Sequence, residues 1–300
     1  MPMRINSLEQ LIDIAGSQQK KRIAVAAAAD ETVLTAINSA YSREIIDPLL
    51  IGNKKEIVKI CTAYRFNHSG WEIINEKDPF IAAQRAVEEI KSGNADILMK
   101  GLVSTAPLLK AVLDKDSGLK KSNILSHFAL FQTCGYHKLF GLSDAAMNIL
   151  PGISEKTGII ENAVEIFHKL GHNEPKVAIL TPVEVLNEKI QSTIDAVRLK
   201  ELNGQNRIKG CIIDGPLALD IAISMEATRH KNIQSAVAGD ADILIAPDLN
   251  SGNILYKSLI FFCGAESAAV VTGAKIPIVL TSRADSDKSK LYSIALAALL

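Results

Sequence analysis

The chain has 300 residues, enough for one large α/β unit or two domains. Its 33 basic and 33 acidic side chains cancel, which removes the electrostatic footprint expected of a nucleic-acid binder. Apolar residues make up 48% and aromatics only 5%, so the core is expected to be aliphatic. The opening MPMRINSLEQ has no apolar stretch of signal-peptide length, and the run from Ala24 to Ala29 is too short to span a bilayer. Cys61, Cys134, Cys211 and Cys263 are too far apart for zinc-type or redox-pair spacing, and read as free buried thiols in a reducing cytoplasm.

Short β-rich runs alternate with helical patterns along the whole length. Arg22 to Ala28 reads as a buried strand, followed by a helix from Glu31 to Tyr41 with Asp30 as N-cap. Ile45 to Ile51 is the next strand, and Lys54 to Tyr64 has apolar residues at helical spacing. Trp71 to Ile74, the helix Phe80 to Lys91, the strand Ala95 to Met99 and the helix Thr105 to Leu113 continue the alternation. Ile124 to Phe131 and Leu139 to Leu142 read as strands. In the second half the expected helices are Thr157 to Leu170, Asn187 to Leu202, Leu219 to His230 and Ser289 to Leu299. The expected strands are Lys176 to Leu180, Cys211 to Ile213, Ala241 to Ala246 and Ile276 to Leu280. Such alternation implies a parallel or mixed sheet covered on both faces, with ligands beyond the carboxyl ends of its strands.

The residues that follow the strands therefore carry the chemistry. After Met99 comes Lys100-Gly101-Leu102-Val103-Ser104-Thr105 and then a helix, which suits an anion cradle; the competing reading is that Ser104 or Thr105 simply caps the helix. After Ala246, the run Pro247 to Lys257 reads as a turn at Gly252 and then a helix that puts Asn253 and Lys257 on one face. After Leu280, Thr281-Ser282-Arg283-Ala284-Asp285-Ser286-Asp287 sets an arginine fork among hydroxyls, as a phosphate requires, while Asp285 and Asp287 serve as bases or as helix caps. Asp214 ends a strand, which is both a catalytic address and a common turn position. His127, inside an apolar strand, reads as a hydrogen-bonded core histidine. His168 and His172 have metal-like spacing, but Gly171 breaks the helix between them, so no metal site is assigned.

Together these segments resemble the phosphate acetyl/butyryl transferase family. The resemblance is carried by Met99 to Thr105, Leu125-Ser126-His127, Leu142 to Asn148, Asp214 to Asp220, Ala238 to Leu244, Pro247 to Lys257 and Thr281 to Ser286. It is clear from about Ala95 onward, and the length and the Thr281–Ser286 run look more like the butyryl branch. It implies an α/β fold of two α/β domains with a cleft between them, of isocitrate/isopropylmalate dehydrogenase-like architecture. On that basis the first domain is expected at residues 1–135 plus 275–300 and the second at 136–274. The implied reaction is acyl-CoA plus phosphate giving acyl phosphate plus coenzyme A, with CoA as substrate, no other cofactor and no metal.

The resemblance assigns Ser282 and Arg283 to phosphate. Asn253 is expected to face the carbonyl oxygen and Asp285 is the candidate base, although the acetyl branch's carboxylate position is occupied here by Ser289. Lys100, Ser104, Thr105, His127, Asp214 and Lys257 are the expected substrate-binding residues. A cytoplasmic homodimer or larger homo-oligomer, with no nucleic-acid or membrane partner, is also implied. Two rival readings stay open: a metal- and NAD-dependent hydroxy-acid dehydrogenase of the related fold, and a CoA-binding module without turnover.

Overall fold

The computed structural model describes residues 4–114, 119–280 and 285–300. The chain folds as two compact units, a flanking one, Glu9–Ser122 with Ala268–Leu300, and an inserted one, Met1–Leu8 with Asn123–Ser267. The first leg comprises α1 (Leu8–Ser17), β1 (Lys21–Ala26), α2 (Glu31–Ser42), β2 (Ile46–Gly52), α3 (Lys54–Ala63), β3 (Glu72–Asn75), α4 (Pro79–Lys91), β4 (Ile97–Lys100) and α5 (Thr105–Leu113). The inserted unit adds β5 (Ser126–Gln132), β6 (Phe140–Ser143), α6 (Ile153–Lys169), β7 (Lys176–Leu180), α7 (Gln191–Gly204) and β8 (Ile212–Leu217). It ends with α8 (Leu219–Ile223), α9 (Met225–His230), β9 (Ile243–Ile245) and α10 (Leu249–Phe261). The chain returns through β10 (Glu266–Thr272), β11 (Ile278–Val279) and α11 (Asp287–Ala298).

In the flanking unit β3, β2, β1, β4 and β11 pair in parallel, and β10 runs antiparallel to β11. In the inserted unit β6, β9, β7 and β8 are parallel, with β5 antiparallel to β6. Apart from the edge strands β3 and β8, the strands are buried on both faces, as parallel sheets require, which is why most of them read as continuous aliphatic runs. Local chemistry sets the helix starts. Asp30 accepts from the Val33 amide at 3.0 Å, and Asp78 caps α4 while Pro79 fills its first position.

The structure corrects several of these expectations. The helix read over Leu219 to His230 is two short helices, because Ser224 leaves helical geometry and its hydroxyl accepts from the Ala227 amide at 3.2 Å. Gly252 is not a turn but lies inside α10, which Asp248 already caps through Ser251. Two elements escaped the pattern: α1, whose Leu8, Leu11, Ile12 and Ala15 are buried, and β10, whose small residues give a weak strand signal. Only Cys61 and Cys211 are buried thiols, whereas Cys134 and Cys263 are exposed.

At the amino ends of β6, β7 and β9 a charged network ties the strands. Lys138 bonds Asp242 at 2.7 Å and Asp240 at 2.9 Å, Lys176 bonds Asp240 at 2.8 Å, and the His137 ring reaches Asp240 at 2.9 Å. The Tyr136 hydroxyl donates to the Ala241 carbonyl at 2.8 Å. Partial burial pushes the Asp240 carboxyl up, but hydrogen bonds from Lys176 and Lys138, the Lys138 charge and His137 outweigh it and hold the group well below the usual carboxylate range. A carboxyl whose folded pKa is depressed contributes stability above its unfolded value and loses it as pH falls toward the folded one. Wild type is therefore expected to lose stability more steeply than Asp240→Asn below about pH 4. Urea unfolding at stepped pH checks this, and parallel curves for the two proteins would refute it.

Candidate active site

In the flanking unit, β4 delivers Lys100 to the carboxyl edge of the sheet. The chain then presses against the exit of β1, with the Gly101 and Leu102 amides donating to Ala26 and Ala27 carbonyls at 2.8 and 2.7 Å. A β-carbon on Gly101 would collide with both of those oxygens, so the glycine here permits a backbone approach. The Lys100 ammonium curls over this loop, 3.3 Å from the Gly101 and Val103 carbonyls. Ser104 takes the N-cap position of α5, yet its hydroxyl makes no capping bond, and both Ser104 and Thr105 are exposed. The amide donors at this helix start thus face outward beside two hydroxyls, which is what an oxyanion needs. β11 runs parallel to β4 with Val279 opposite Met99, so both strands end at this edge.

In the inserted unit the chain leaves β6 through a turn built by one carboxylate. Asp144 is 4% exposed and accepts from the Ala146 and Met147 amides at 2.8 and 3.0 Å and from the Asn148 side chain at 2.5 Å. Asn148 also donates to the Leu125 carbonyl at 2.9 Å. The start of α10 is seated on this turn. Gly252 packs directly against the Asp144 carbonyl, and the Asn253 amide donates to the Ala145 carbonyl at 3.0 Å. One turn along, Tyr256 meets the His127 ring at 5.7 Å and the Phe131 ring at 5.3 Å, while Lys257 is exposed. His127, 6% exposed, is anchored beneath by Ser143, whose hydroxyl donates to its carbonyl at 2.8 Å. His127 thereby meets Tyr256, which stands between Asn253 and Lys257 in α10.

The family-model comparison matches residues 7–80 and 80–298 to the phosphate acetyl/butaryl transferase family. The chain belongs to this family. It is 43% identical to the phosphate butyryltransferase of Clostridium acetobutylicum over 99% of this chain and 98% of that one. It is 41% identical to the phosphate acetyltransferase of Thermotoga maritima over 97% and 98%. Among solved structures, a branched-chain phosphotransacylase from Enterococcus faecalis superposes with TM-score 0.83 at 35% identity, covering 93% of this chain and 98% of that one. A putative 4-hydroxythreonine-4-phosphate dehydrogenase from Salmonella typhimurium has TM-score 0.60 at 12% identity over 94% and 99%, a likeness of fold alone.

Against the family's pattern the remaining residues fall as follows. Ser282 and Arg283 lie outside the described residues. Asp285 opens the described C-terminal stretch, and its backbone carbonyl accepts from the ammonium of Lys290, a side chain buried in α11. The cap of α11 is Ser286, whose hydroxyl accepts from the Ser289 amide at 3.1 Å, so Asp287 occupies the first turn and does not fill the cap, one of the two roles read for it. Asp214 sits within β8, not at its end, and pairs with Lys200 at 2.6 Å. Its strand is separated from that of His127 by β6, β9 and β7, roughly 19 Å at about 4.8 Å per strand, so the two side chains are not brought together. His168 and His172 go to separate backbone carbonyls, of Gly210 and Ile5, at 2.7 and 3.4 Å. Asp144, Asn148 and Tyr256, which hold the inserted-unit residues in place, were given no role in the sequence reading beyond lying in the Leu142–Asn148 and Pro247–Lys257 segments of the resemblance.

Proposed function

We propose that the protein catalyses reversible transfer of an acyl group between coenzyme A and inorganic phosphate, with butyryl-CoA preferred to acetyl-CoA. Family membership over almost the whole chain, with butyryl- and acetyltransferase relatives at 43% and 41% identity, carries this reading. Those two identities are too close to choose the acyl chain. The butyryl preference rests on the Thr281–Ser286 run and on overall length.

In this reading Ser282 and Arg283 hold and orient phosphate, helped by the charge of Lys100 and the hydroxyls of Ser104 and Thr105. A phosphate oxygen attacks the thioester carbonyl carbon, and the new C–O bond forms as the carbonyl π pair moves onto oxygen. Asn253 donates to that oxyanion, for which its amide has one donor besides the bond to Ala145. The pair returns, the C–S bond breaks and CoA leaves as the thiolate. In the reverse direction Asp285 takes the proton from the CoA thiol. His127 and Lys257 contact the substrate beside Asn253, and Asp214 contacts it away from the reacting carbonyl.

Among the described residues no helix is long and apolar enough to cross a membrane, and a cytoplasmic location fits the free thiols. Self-association belongs to the same proposal: Ile149, Val185, Phe261 and Phe262 of the inserted unit are between 68% and 90% exposed, large apolar side chains that contact with a second copy would cover.

The test is CoA release from butyryl-CoA and acetyl-CoA, with and without phosphate, followed by a thiol-reactive dye. Phosphate-dependent release, faster from butyryl-CoA and indifferent to NAD and magnesium, is expected. Release without phosphate would indicate a thioesterase, and no release from either substrate would leave a binding module.

A further inference from the structure

The closing helix of the flanking unit begins with a buried lysine. From Lys290 to Ala298 every residue of α11 is buried, and Lys290 itself is 1% exposed. The helix is held from several sides. It packs on α2 and β11. The Ser293 hydroxyl accepts from the Ala269 amide of β10 at 2.9 Å and donates to the Ser289 carbonyl at 2.8 Å. The Tyr292 hydroxyl donates to the Glu9 carboxylate of α1 at 2.8 Å.

Side chains on a helix lean toward its N-terminus, so Lys290, in the first turn, reaches back past the Ser286 cap. Its ammonium donates to the backbone carbonyl of Asp285. Stability does not account for a lysine here. A buried charge is costly unless an opposite charge compensates it, and among the described residues no carboxylate forms an ion pair with this ammonium. A methionine, of similar length and without charge, would fill the same space without that cost. The carbonyl that Lys290 holds belongs to the candidate base, two residues past Arg283 in the run read as holding phosphate.

We propose that Lys290 is a positioning residue for acyl transfer. Its ammonium carries the fixed position of α11 to the main chain at Asp285, and so orients the run from Thr281 to Ser286 toward phosphate. It acts through Asp285 and Arg283 and touches no reacting atom. The proposal rests on the acyl-transfer reading.

The test is Lys290→Met, read by CoA release at varied phosphate, with whichever of butyryl-CoA and acetyl-CoA wild type uses faster, and by urea unfolding. The expected result is a kcat/KM for phosphate lowered at least about tenfold and an unchanged KM for the acyl-CoA. The unfolding midpoint should equal or exceed that of wild type, because a buried charge has gone. Lys290→Gln keeps a shorter, uncharged donor and should recover part of the rate; it carries the comparison if the methionine variant fails to fold. In an Arg283→Ala background the methionine substitution should cost much less, since the group it orients is absent. Wild type that releases CoA with phosphate, beside variants of unchanged kcat/KM, would overturn the proposal. So would activity lost only in step with stability, failure of both variants to fold, or full additivity with Arg283→Ala. No phosphate-dependent release by wild type would instead remove the acyl-transfer reading, and this proposal with it.

Discussion

Gly252→Ala is expected to cost about 2–3 kcal/mol of stability and at least about tenfold in kcat/KM. The new methyl group would enter the Asp144 carbonyl oxygen and come within 3.2 Å of the Ala145 α-carbon. Neither atom belongs to a flexible side chain. Both are backbone of a turn that Asp144 locks through two amides and Asn148. The helix must move instead, carrying Asn253 off its 3.0 Å bond to Ala145 and shifting Lys257 with it. Displacements of about 1 Å at a reacting centre cost up to about a hundredfold in rate. Urea unfolding read beside steady-state kinetics separates the two effects. A destabilised variant with wild-type kcat/KM would show that α10 does not position the reaction, and an unchanged unfolding midpoint would show that the turn yields.

Arg283→Ala is expected to lower kcat/KM for phosphate about a hundredfold, close to 3 kcal/mol of transition-state stabilisation, with the fold intact. The resemblance of Thr281–Ser286 to the family's phosphate pair motivates this value. A guanidinium offers two parallel donors that match two phosphate oxygens, so Arg283→Lys should recover only part of the loss. The assay belongs at subsaturating phosphate, where loss of binding and loss of turnover both register. Near-wild-type turnover of Arg283→Ala under those conditions would remove the residue from the phosphate site.

Much of the architecture was readable because most strands are buried aliphatic runs and several helices announce their start. Asp30 caps the helix predicted for it, and the strand Lys176–Leu180 and helix Thr105–Leu113 fall where the pattern put them. What stayed hidden depends on partners distant in sequence. Gly252 carries the same letter whether it serves a turn or a close approach, and only the Asp144 carbonyl, more than a hundred residues earlier, decides between them. Lys156 lies in a stretch rich in charge, and its burial follows from Asp195, 39 positions away on another helix. Ser104 shows the converse: sequence places it at the N-cap, but its hydroxyl makes no capping bond. The pairing of Asn253 with Lys257 was legible because four-residue spacing is local geometry. The turn that seats them was not.

The distribution of the four thiols has a use beyond the chemistry of the site. Cys61 lies in the flanking unit and Cys211 in the inserted unit, both buried, and burial holds both thiols above the ordinary range, Cys211 up to about 12. A thiolate forms on either only when its surroundings open, so each unit contains its own chemical clock. Cys134 and Cys263, both exposed in the inserted unit, react at once and give a fixed starting signal. Pulse labelling followed by peptide mass analysis can then time the opening of each half of the molecule separately, in the unmutated protein.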